Sequence, residues 1–153
     1  MEEKQLEAVF DKWCKKLRLV PDWSIKLEFV TDPSWPKTGD FKIDCDDKTA
    51  ILMLNIAAPK QENLEGVIVH ELMHLKLYPL DQVTESLITS NFTEGTAAYE
   101  FAYTQFFTAL EQAVAELAKC YLLEFGDDKT LSYGRCNAQK SFNDLYDGLQ
   151  SLK

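Results

Sequence analysis

Apolar residues near the start of the chain recur as Leu6, Val9, Phe10, Trp13, Cys14 and Leu17. The intervals of three and one lay a single apolar stripe along a helix over residues 2–17, with Glu2, Glu3, Glu7, Asp11, Lys12 and Lys16 off it. The polar side mixes both signs of charge, which suits a helix packed on a sheet and not one lying on a membrane. Pro21 ends this helix. The period then changes to two: Trp23, Ile25, Leu27 and Phe29 alternate with Ser24, Lys26 and Glu28, the pattern of a half-buried strand. A loop with Pro33, Pro36 and Gly39 follows, then a second alternation at Phe41, Ile43 and Cys45. Asp46-Asp47 makes a turn into a third, more continuously apolar run from Thr49 to Asn55. A helix followed by a three-stranded meander is the simplest reading.

Pro59 closes the strand region, and Asn63 suits the cap of a helix running from Leu64 to about Leu77, where Pro79 should break it. From about Asn91 to Cys120 lies a long helical pattern rich in Ala, Glu, Leu and Phe. Gly126-Asp127-Asp128 is a turn, and a last helix is expected over roughly 137–149. There is no repeat, linker or low-complexity stretch. The expected architecture is one α+β domain over residues 1–153: N-terminal helix, three-stranded and mostly antiparallel sheet, a helix carrying residues 64–77, one long helix and a C-terminal helical segment.

The chain has 153 residues, 16 Lys and Arg against 25 Asp and Glu, and a formal net charge of −9. That field disfavours nucleic acid as a partner. No apolar run is long enough to span a bilayer and the N-terminus has no signal-peptide pattern, so the expected location is cytoplasmic, away from membranes. Cys14, Cys45, Cys120 and Cys136 form no C-x-x-C pair, and reduced thiols are the expectation.

Histidine is the more telling count. The only two, His70 and His74, fall in His70-Glu71-Leu72-Met73-His74, an H-E-x-x-H motif inside a helical pattern. With two histidines, this arrangement arises by chance on the order of once in a thousand such chains. Residues four apart share a helix face, so both imidazoles can bind one cation, while Glu71 points toward the open coordination position as a general base. Zinc in catalytic sites takes three protein ligands, and no third histidine exists, so a carboxylate or thiolate must complete the set. Glu94 is the first candidate: it opens the long helix among the small residues Gly95, Ala97 and Ala98, which permit close helix approach. Glu85 and Glu100 are weaker candidates. Cys45 is a rival thiolate, although its alternation with Phe41 and Ile43 reads more simply as a core residue.

H-E-x-x-H followed by Glu94-Gly95-Thr96-Ala97-Ala98-Tyr99 resembles the gluzincin group of zinc metallopeptidases, and the element order is similar to the small minigluzincins. The resemblance covers roughly residues 1–118, leaving 119–153 as an extension of unassigned role. It implies a zincin-like fold, His70, His74 and Glu94 as zinc ligands, Glu71 as catalytic base, and a peptide or protein substrate. The implied reaction is peptide-bond hydrolysis by Glu-assisted attack of zinc-bound water. The strand Thr49–Asn55 should then form the cleft rim and pair with an extended substrate. Tyr78, Tyr99, Tyr103 and Tyr133 are candidate oxyanion donors, and Asp81, Glu85 and Glu100 candidate partners for the imidazoles. The alternative is a catalytically weak regulatory or peptide-binding module on the same fold.

Overall fold

The computed structural model describes residues 2–130. The helix expected over 137–149, together with Tyr133 and Cys136, lies outside the described residues. The elements are α1 (Glu3–Lys16), β1 (Ser24–Val30), β2 (Gly39–Asp44), β3 (Thr49–Asn55), α2 (Leu64–Asn91) and α3 (Ala97–Phe125). This is an α+β arrangement of three helices and one three-stranded mixed sheet. Among the described residues, no helix is long and apolar enough to cross a membrane.

The expected stripe of α1 is its buried face: Leu6, Phe10, Trp13, Cys14 and Leu17 are all buried. They share one core with Ala50, Leu52 and Leu54 of β3 and with Val67, Ile68, Val69, Leu72 and Leu75 of α2. Burying side chains of this size contributes about 1.5–3 kcal/mol each.

The sheet is not a meander. The strand order is β1-β3-β2: β3 is inserted between the other two, parallel to β1 (Ser24 opposite Thr49) and antiparallel to β2 (Gly39 opposite Leu54). The central place of β3 agrees with its near-continuous apolar run, since Ala50, Leu52, Leu54 and Asn55 are all buried. With both its edges occupied, β3 cannot be the strand that receives an extended peptide. The expected rim role fails for that reason, and the edge position belongs to β2.

The second correction concerns α2. It does not stop at Pro79 but continues through it to Asn91. The missing proline N–H forfeits one hydrogen bond to the Leu75 carbonyl. The helix goes on because its distal half packs against α3 and buries Ile88. Thr84, Thr89 and Asn91 donate side-chain hydrogen bonds to the carbonyls of Leu80, Glu85 and Leu87. α3 consequently begins later than expected, at Ala97, capped by the Thr96 hydroxyl. A third correction is Cys45, which is exposed beyond the end of β2 and not part of the core.

The start of α2 is held by buried polar contacts. Asn63 caps it by accepting from the Gly66 N–H at 2.8 Å, and its own amide donates to the carbonyls of Asp128 and Thr130. Glu65, 1% exposed, accepts from Trp13 Nε1 at 2.7 Å, from Lys12 Nζ at 3.1 Å, and from the backbone N–H groups of Asp127 and Asp128 at 2.8 Å each. One carboxylate thus joins α1, α2 and the chain leaving α3. We predict that Glu65→Ala, which strands the indole N–H and two backbone donors, lowers stability by about 2–4 kcal/mol. A shift of the urea midpoint at unchanged slope measures it.

Candidate metal centre

α2 carries His70, Glu71 and His74 on successive positions of one side, with Val67, Ile68, Val69, Leu72, Met73 and Leu75 anchoring the other side in the core. The two imidazoles meet edge to face, ring centroids 4.9 Å apart, with His70 Nε2 and His74 Nε2 separated by 3.2 Å. The third group comes from α3. Glu111 places Oε1 3.3 Å from His74 Nε2 and Oε2 3.8 Å from His70 Nε2.

His70, His74 and Glu111 therefore offer three ligand atoms within 4.8 Å of one another, a group that could hold a metal ion. The spacing fits the donor chemistry. Metal–ligand distances of about 2.0–2.1 Å in a tetrahedron separate the ligand atoms by about 3.3–3.4 Å, close to the edges seen here. Two imidazoles and one carboxylate leave a fourth position for water or substrate.

Glu94, the expected third ligand, is not in this group. It lies in the exposed turn between α2 and α3, beyond Asn91. Because α2 runs through Pro79, that turn lies about 25 Å along the helix axis from His74, at 1.5 Å per residue. The same displacement removes Glu85 and Glu100 as ligands, and Cys45 lies outside the group as well. The signal for Glu111 was present in the sequence. Ala109, Ala113, Ala115 and Ala118 lie around it, although more loosely spaced than Gly95, Ala97 and Ala98 beside Glu94. Of the alanines around Glu111 only Ala118 is buried, in the α3 seam it forms with Leu110, Val114 and Leu122.

Glu71 follows His70 and faces a cleft of about 970 Å³ that also takes in His70, His74, Glu111 and the segment 37–41. Burial pushes the Glu71 carboxyl up to about 7; the negative charges of Asp40 and Glu111 add to this, while His74 and Lys37 oppose it. Burial disfavours the charged form of His74, but the hydrogen bond with Glu111 and the charges of Glu71, Glu111 and Asp81 outweigh it and raise its pKa. A resident cation would replace that proton and would also favour the charged form of Glu71.

The first residue of β2 presses directly on this carboxyl. A Cβ at Gly39 would stand 2.7 Å from Glu71 Cγ, 2.9 Å from its Oε1 and 2.9 Å from Val67 Cγ1. Only a glycine lets the strand close over Glu71. The preceding loop is fixed by buried Asn55, whose amide donates to the carbonyls of Trp35 and Lys37 and whose carbonyl accepts from the N–H groups of Ala57 and Ala58. Lys37 reaches back to Asp40 at 2.6 Å. Sequence reasoning missed Gly39, Lys37 and Asp40 because a loop signal names a turn and not what the turn packs against.

The other expected site residues are placed as follows. Tyr78 is hydrogen-bonded with Cys45, while Tyr99 and Tyr103 stack on one another along α3. Asp81 acts on His74 through its charge, and Glu100 is exposed near the start of α3. No family model, curated protein or solved structure matches the chain.

Two outcomes are expected. Purified protein dialysed against one equivalent of Zn²⁺ should retain about one ion per chain; His74→Ala and Glu111→Ala should each reduce affinity at least about tenfold, and Glu94→Ala should leave it unchanged. Gly39→Ala should displace Glu71 and cost about 1–3 kcal/mol of stability, read as a lowered thermal midpoint.

Proposed function

We propose that the protein is a zinc-dependent peptidase of gluzincin type, with His70, His74 and Glu111 holding the metal and Glu71 acting as general base. The observation that carries this reading is the position of Glu71. A half-buried carboxyl, adjacent in sequence to one donor and interacting with the charges of the other two, faces an open cleft. A structural metal site needs no base there.

Bound zinc would supply Lewis acidity, polarising the scissile carbonyl and easing deprotonation of water. The chain's own groups do the rest. Glu71 accepts the proton of the attacking water on its carboxylate and hands it to the leaving amine nitrogen as the C–N bond breaks. Gly39 packs against the Glu71 side chain and keeps it from swinging away from the cleft. Lys37 and Asp40, held together as an ion pair beside the cleft, act on the Glu71 charge with opposite signs. The edge of β2 not taken by β3 borders the cleft, so an extended peptide can add to the sheet there and take its register from main-chain hydrogen bonds.

The test is hydrolysis of a mixed peptide library by zinc-loaded protein beside Glu71→Gln. The expected result is a loss of about 10²–10⁴-fold in rate with metal content unchanged. Equal hydrolysis by both, or none by either while zinc is bound, overturns the reading.

A further inference from the structure

The α2–α3 hairpin runs on well past the metal donors, and along that stretch one face of α3 is aromatic. Tyr99, Tyr103 and Phe107 recur every fourth residue and so form one row on the helix. Their rings stack nearly parallel: 6.0 Å and 13° between Tyr99 and Tyr103, 6.3 Å and 6° between Tyr103 and Phe107. Glu111 is the next residue of the same row, and Phe107 borders the cleft beside it. The row therefore extends the cleft wall outward, with Tyr99 and Tyr103 half-buried and Phe107 exposed.

Across the hairpin stand two carboxylates. Asp81 lies two turns on from His74 and interacts with its charge; Glu85 is one turn further and its charge acts on Tyr99 of the opposite helix. Asp81 and Glu85 also act on one another as like charges. Among the described residues, neither has a cationic side chain within 4.0 Å. The distal stretch of the hairpin has none to give. From Leu77 to Ala118 the sequence holds Asp81, Glu85, Glu94, Glu100, Glu111 and Glu116, and no Lys, Arg or His.

Half-exposed stacked rings, with Glu85 acting on Tyr99 from the opposite helix and Asp81 one turn before it, make a surface suited to cationic side chains, which gain both from the rings and from the charge. We propose that the aromatic row of α3, faced by Asp81 and Glu85 of α2, is a docking groove for a basic segment of the polypeptide substrate. Lys or Arg side chains of that segment lie between rings and carboxylates while a neighbouring part of its chain enters the cleft. A second copy of the hairpin would bring the same acids and be repelled. An anionic membrane or a nucleic acid is disfavoured by the same field. Naming the occupant a substrate rests on the peptidase reading; the docking does not require cleavage.

The test uses full-length zinc-loaded Glu71→Gln protein and two fluorescent peptides of one length, with three arginines in one replaced by glutamates in the other. The arginine peptide should bind at least about tenfold more tightly. Asp81→Asn with Glu85→Gln, at unchanged zinc content, should reduce that preference to about twofold, and Tyr103→Leu should weaken arginine-peptide binding about fivefold. Tyr99→Leu, nearer the tip, serves if Tyr103→Leu misfolds. Removing two remote charges, Glu7→Gln with Glu28→Gln, should leave the preference intact. No preference, a preference insensitive to the hairpin pair, or one equally sensitive to the remote pair overturns the groove. So does a dimer that shields Tyr99 and Tyr103. Arginine peptides bound but never cut by the wild type would sink the peptidase reading alone, and cleavage indifferent to charge would sink the groove alone.

Discussion

The close contact between α3 and α2 is the constraint on which the site depends. Leu110, Val114, Ala118 and Leu122 form the buried seam of α3. Glu111, beside the first of these, reaches His74 at 3.3 Å because that seam allows it. A glutamate side chain is short, so one larger residue along the seam would hold the carboxylate out of range of both imidazoles. Packing density and donor geometry are here the same requirement. Among the described residues, α3 is the helix that brings a carboxylate to the two imidazoles of α2.

A donor group on one helix face is only as fixed as the helix. α2 is held along its proximal half by the shared core with α1 and β3, and at its first turn by Asn63 and Glu65. Glu65 is a buried charge, which would be a liability if left unpaired. It is satisfied by four donors, two from α1 and two from the segment after α3, so it resists sliding of α1, α2 and the end of α3 against one another. On the other flank β2 closes over Glu71 at Gly39, and Asn55 pins the loop leading into that strand. Glu71 therefore sits between two independently anchored walls.

The far half of the hairpin follows other rules. Past Pro79 the buried residue of α2 is Ile88, and the exposed surface there mixes aliphatic Leu80, Val83 and Leu87, aromatic Phe92 and Phe101, and acidic side chains.

Local pattern was enough to locate α1, the three strands, and the His70-Glu71-His74 face, because periodicity and the i, i+4 spacing are properties of contiguous residues. The turn at Gly126-Asp127-Asp128 was equally legible, although nothing in it announced that its backbone would be tied to Glu65. What the chain could not reveal unaided was every feature set by elements meeting at a distance. β3 goes to the middle of the sheet because it is the strand with most apolar surface to bury, a competition among strands and not a property of one. α2 survives Pro79 because α3 packs along it, so a penalty that is decisive locally is offset by contacts from residues twenty or more positions away. That single extension carries Glu94 to the tip of the hairpin and brings Glu111 to the histidines. The identity of the third donor was therefore decided by helix length and packing, while the need for a carboxylate or thiolate in that place was already written in a sequence with only two histidines.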